Sequence, residues 1–105
     1  MTDNEKLARW QGWEEYHSDI NKHVPDYLND DAAAMSLLDT LVEKGYVPQL
    51  AYNGTTLLWQ CAIDEWTMVG THRVHSPLIN DVELGRTTRR EAIVAAVLLL
   101  LESNQ

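Results

Sequence analysis

Tyr46-Val47-Pro48-Gln49-Leu50-Ala51-Tyr52-Asn53-Gly54-Thr55-Thr56-Leu57-Leu58-Trp59-Gln60-Cys61-Ala62-Ile63 is the stretch that decides the fold class. Two runs of strand character flank Asn53-Gly54, the dipeptide best suited to the positive φ angles of a tight two-residue turn, so a β-hairpin is predicted over 46–63. In the second run Leu57, Trp59, Cys61 and Ile63 alternate with Leu58, Gln60 and Ala62. Successive strand residues point to opposite faces, so the first set is assigned to the core and Cys61 reads as a small core residue.

Upstream of the hairpin, Asn29, Asp30 and Asp31 offer capping oxygens just before Ala32-Ala33-Ala34-Met35, which predicts a helix over 30–44. Ala34, Met35, Leu37, Leu38, Leu41 and Val42 recur at helical spacing as one buried stripe, with Ser36, Asp39, Thr40, Glu43 and Lys44 outside it. Gly45 then suits the left-handed residue that closes a helix. A shorter helix is expected over 3–11, where Leu7 and Trp10 share a face, Gly12 ends the turn and Trp13 folds back; 14–28 reads as loop, with Val24 held extended by Pro25.

Downstream, Asp64-Glu65 reads as a turn and 66–75 as a third strand weakened at its centre by Gly70. Pro77, Asn80, Asp81 and Gly85 mark 76–85 as a loop. Thr88-Arg89-Arg90-Glu91 has the form of a capping box and opens a helix over 89–102. Ile93, Val94, Val97 and Leu98 to Leu101 cover more than one face of that helix, which must be buried on several sides or meet a partner. The whole reads as an α+β fold: a compact single domain with a short antiparallel sheet of two or three strands and flanking helices.

The chain has 105 residues, the size of one domain, and 16 acidic against 8 basic residues give it a formal net charge of −8. Phosphate neutralisation needs clustered Lys and Arg, so direct nucleic-acid binding and attachment to an anionic membrane are both disfavoured. Arg86, Arg89 and Arg90 form the one basic cluster, read as the solvated start of the last helix. Ala92 to Leu101 is apolar throughout but is half the length of about 20 residues that a spanning helix needs. A lone cysteine and the absence of a leader-like apolar core near Met1 point to the cytoplasm.

Candidates for chemistry are few. His72 and His75 with Cys61 and His17 or His23 are ligand types for zinc, but an offset of three along a strand sends the two imidazoles to opposite faces. The adjacent acids Glu14 and Glu15, Asp30 and Asp31, and Asp64 and Glu65 are explained by capping and solvation. No glycine-rich phosphate loop, nucleophile elbow or C-x-x-C pair occurs, and Ser18, Ser36, Ser76 and Ser103 stand in no His and Asp constellation. No catalytic, cofactor-binding or metal-ligating residue is assigned, and no cofactor is expected. Among the aromatics Trp59 falls in the buried set, whereas Trp66, at the expected turn, is the better interface candidate.

Several strings resemble the phage ABA sandwich domain family, small proteins of tailed phages and prophages. They are Leu7-Ala8-Arg9-Trp10-Gln11-Gly12-Trp13, then Val24-Pro25-Asp26-Tyr27-Leu28-Asn29-Asp30-Asp31-Ala32-Ala33-Ala34-Met35, Leu37-Leu38-Asp39 and Glu43-Lys44-Gly45-Tyr46. Looser matches are Trp59-Gln60-Cys61 and Arg90-Glu91-Ala92-Ile93-Val94-Ala95-Ala96. The resemblance implies a helix, strand, strand, helix order and a phage or prophage protein acting in the host bacterial cytoplasm, and it brings no catalytic residues. The function expected is that of an accessory protein without catalysis that binds a host or phage protein, or a second copy of itself through the apolar last helix. The alternatives are an acidic mimic of nucleic acid and a module sequestering a small ligand in a pocket lined by Trp59, Trp66 or Arg86.

Overall fold

A computed structural model describes residues 2–12, 24–80 and 85–103. Their order is helix α1 (Asp3–Trp10), helix α2 (Asp31–Glu43), strands β1 (Tyr46–Asn53), β2 (Leu58–Val69) and β3 (His72–Asn80), and helix α3 (Arg89–Ser103). The strands form one antiparallel sheet in the order β1-β2-β3. The α+β class holds, with three strands. The expected fold-back of Trp13, most of the 14–28 loop, and His17 and His23 lie outside the described residues.

The helices begin where local chemistry places them. Thr2 accepts from the Glu5 amide at the start of α1, and Asp30 accepts from the Ala32 amide at 2.9 Å at the start of α2. Both side chains satisfy amide donors that the first helical turn leaves unpaired. Gly45, at φ +92°, follows Lys44 and ends α2 in the left-handed conformation that costs glycine least. At α3 Thr88 accepts from the Glu91 amide at 3.2 Å, while the Glu91 carboxylate accepts from the hydroxyls of Thr87 and Thr88 at 3.0 and 2.9 Å. The capping box is therefore varied: its glutamate holds two side-chain hydroxyls.

One core lies between the helices and one face of the sheet. Leu7 and Ala8 of α1, Leu37 and Leu41 of α2, Cys61 and Ile63 of β2, and Ile93, Val97 and Leu100 of α3 are buried together, with Trp59, Leu50, Tyr46 and Ile79 packed against them. Most of the apolar surface of α3 is taken up inside the domain: Ala92, Ile93, Val94, Ala96, Val97 and Leu100 are buried and α3 meets α1, α2 and every strand, while Leu98 and Leu101 are half-buried and Leu99 is exposed. Cys61 and Ile63 occupy the core as their alternation requires. Leu57 does not; it stands in the turn and is 65% exposed. Val42, also expected in the core, is 62% exposed because it lies about 100° round α2 from buried Leu41.

The sheet departs from expectation at both turns. Asn53 pairs with Leu58, so the first connection runs through four residues, 54–57, rather than the two-residue turn expected at Asn53-Gly54. The Asn53 side chain accepts from the Thr55 and Thr56 amides, its carbonyl accepts from the Leu57 amide, and the positive φ falls on Leu57 at 60°. Asp64-Glu65 is no turn, and 66–75 is no separate strand: β2 runs on to Val69, the chain reverses at Gly70-Thr71, and β3 occupies 72–80, so that 76–80, the first half of the expected 76–85 loop, is strand. Gly70, at φ +64°, is the first central residue of this two-residue turn, where a primed hairpin turn wants glycine. The acidic pair stays in strand because Asp64 finds its partners across the sheet.

Candidate functional site

On β2 the face opposite the helices carries Ala62, Asp64, Trp66 and Met68; on β3 it carries Arg73 and His75, paired with Met68 and Trp66. Gln49 of β1 shares it. The Asp64 carboxylate, though on this face, is only 6% exposed, and one oxygen accepts from Gln49 Nε2 at 2.9 Å and meets His75 Nδ1 at 2.6 Å. The imidazole of His75 stands edge-on to Trp66 with ring centroids 5.7 Å apart, and the Arg73 guanidinium lies 4.3 Å from the Trp66 ring centroid. Cation, indole, imidazole and carboxylate thus form a ladder across β2 and β3.

A buried carboxylate orienting an exposed imidazole is two parts of an acid-base arrangement. Nucleophilic chemistry needs a third group within reach, and Ser76, next along β3, points to the opposite face. Among the described residues no group of three or more His, Cys, Asp and Glu side chains could hold a metal ion. His72 and His75 lie on opposite faces of β3, with His72 across from Val69 at the tip.

Beyond Glu65 the sheet narrows. β1 begins at Tyr46, opposite Glu65, so 66–75 form a two-stranded arm whose β2 edge has no strand beside it among the described residues. Every residue of the arm is exposed except half-shielded Thr67. Both its faces are apolar in part: Trp66 (41% exposed) and Met68 on one, Val69 and Val74 on the other.

The remaining sequence candidates sit elsewhere. Trp59 packs its ring against Tyr52 at 5.1 Å, and its backbone exchanges hydrogen bonds with that of Arg86 at 2.6 and 2.8 Å. Trp59 and Trp66 lie on opposite faces of β2, about 23 Å apart along the strand, so no single pocket can use both. An open depression elsewhere is lined by Thr2, Asn4, Glu5 and Val24. Arg89 and Arg90 both bond Asp31 at the start of α2, at 3.0 and 3.2 Å, and Arg90 Nε also donates to the Leu28 carbonyl at 2.7 Å. Hydrogen bonds from Arg90 and then Arg89 hold the Asp31 carboxyl below the usual carboxylate range. That pair of arginines is a clamp between helices. Arg86, the third member of the cluster, lies at the β2 border.

Sequence reasoning missed the arm because Asp64-Glu65 looked like punctuation; Gly70-Thr71, preceded by the strand-forming residues Trp66, Thr67 and Val69, was the better signal. It also missed the polar seam between α1 and α2. Tyr27, fully buried, donates its hydroxyl to Gln11 Oε1, and Gln11 Nε2 donates to Ser36 Oγ and Thr40 Oγ1, each at 3.0 Å.

Compared with known protein families, curated proteins and solved structures, the chain matches none. No helix among the described residues is long and apolar enough to cross a membrane.

Proposed function

We propose that this chain is a non-catalytic protein-interaction module of a phage or prophage, working in the host bacterial cytoplasm. The single observation behind the interaction reading is the β2–β3 arm, which holds Trp66, Met68, Val69 and Val74 in solvent on a two-stranded hairpin. Exposed apolar groups clustered on one projecting element cost solubility and are retained where a partner covers them. The phage setting rests on the sequence resemblance alone, and the non-catalytic reading rests on the incomplete Asp64–His75 arrangement.

The reading of the acidic surface as a nucleic-acid mimic draws less support. Asp30 caps α2, Asp31 is paired with two arginines, Glu91 holds two threonines and Asp64 sits between Gln49 and His75. Those carboxylates serve the fold. The test is capture of partners from bacterial lysate by the tagged wild-type chain and by Trp66→Ala, at low and high salt. A protein retained at high salt by the wild type and lost by the variant supports the arm as the contact. Partners bound equally by both would remove the arm from the reading, and partners lost from both at high salt would favour mimicry.

A further inference from the structure

The occupant of the arm follows from its edges and its charge, and this step rests on the interaction reading above. We infer that the β2 edge of the arm pairs antiparallel with the same edge of a second copy of this chain, about a two-fold axis. Among the described residues, 66–69 of β2 form an edge with no strand beside it, because β1 reaches only as far as Tyr46, opposite Glu65. A strand edge with unpaired amides and carbonyls is a template for another strand, and natural edges are guarded by charge, proline or a bulge. Trp66, Thr67, Met68 and Val69 carry no charge and no proline, and the bulge of this sheet, between Ile63 and Asp64, lies on the β3 side below the arm.

Antiparallel pairing of two identical edges sets the tip of each arm beside the base of the other. The tip and base are complementary in charge. The arm, 66–75, holds Arg73, His72 and His75 and none of the 16 acidic residues of the chain. The base holds Glu65, exposed and directly opposite the start of β1. His72 shares the face of Glu65, since Val69, its cross-strand partner, lies four residues on from Glu65. Two-fold pairing therefore puts His72 of each copy on the face of the other's Glu65 but one strand back from the contact, about 10 Å across the sheet, where the attraction acts through space and is screened by salt. It also brings the exposed Met68 side chains of the two copies together near the axis, where thioether and indole groups pack well.

The experiment is sedimentation equilibrium of the full chain over a wide concentration range, at low and high salt and below pH 6, where imidazoles gain charge. A dimer is expected. Met68→Lys puts a charge on the edge and should weaken it by about tenfold or more, at unchanged circular dichroism because Met68 is 64% exposed and outside the core. Glu65→Lys should weaken it too, by less than Met68→Lys and most clearly at low salt. A chain that stays monomeric at all concentrations overturns the inference, as does a dimer indifferent to Met68→Lys. A monomer that still captures a host protein through Trp66 would leave the broader interaction reading standing, so the two failures are separable.

Discussion

Replacing Tyr27 by Phe isolates the polar seam that fastens α1 to α2. The ring stays, so no cavity opens; what goes is the hydroxyl that donates to Gln11 Oε1. Gln11 keeps its donors on Ser36 and Thr40, but its carbonyl oxygen is left without that partner beside a fully buried ring. An unmet acceptor of this kind costs about 1–2 kcal/mol, or roughly 5–10 °C of Tm in a domain near this size. Burial pushes the Tyr27 hydroxyl up to about 12 from 10.0. The folded state therefore keeps a proton that the unfolded chain has begun to release, and the stability this group provides is complete below pH 10 and drains away between pH 10 and 12. By pH 11 the loss is ~1.4 kcal/mol for the wild type and nil for the variant. Urea unfolding followed by circular dichroism should show wild type ahead of Tyr27→Phe at pH 8 and the gap closed near pH 11. Equal stabilities at pH 8, or a gap unchanged at pH 11, would refute the reasoning.

Gly85→Ala places a Cβ 2.8 Å from the Leu58 Cβ, where the chain passes close to β2 before Arg86 bridges to Trp59. A loss of about 1–3 kcal/mol in chemical denaturation is expected, and Leu58→Ala should not recover it in full, because the closest contact is with the Leu58 Cβ that alanine keeps. Leu57→Asn should raise stability by about 1 kcal/mol, since Leu57 holds a left-handed φ of 60° while two-thirds exposed and asparagine tolerates that conformation better. Asp31→Asn removes the negative charge, and one of the two acceptor oxygens, that Arg89 and Arg90 share. Because pairing lowers the Asp31 pKa, its contribution is present above the unfolded value near 3.8 and is lost as pH falls below it, so the variant should show a shallower acid transition than wild type in a pH titration of Tm, most clearly at low salt.

The sequence by itself determined what depends on neighbours within one or two turns. Asp30, Gly45 and Thr88 set helix boundaries through capping bonds that close over three or four residues, and the alternation Cys61, Ile63 assigned one face of β2 to the core. Each of those signals is satisfied by residues close in sequence, and no contact from a distant element opposes it. What only the tertiary structure decided are the contacts whose partners are far apart in the chain. Asp64 reads as a turn residue until Gln49 and His75, from two other strands, satisfy its carboxylate and let β2 run on into the arm. Ser36 and Thr40 read as solvent-facing until Gln11 meets them, and Arg89 and Arg90 read as a solvated cluster until Asp31 of another helix claims both. A polar side chain carries the same letter whether it faces water or a partner, and hydrogen-bond satisfaction is fixed only when the elements have docked. The candidate interaction surface is of that second kind: its residues are plain in the sequence, but its edge exists only because β1 ends four residues short of β2.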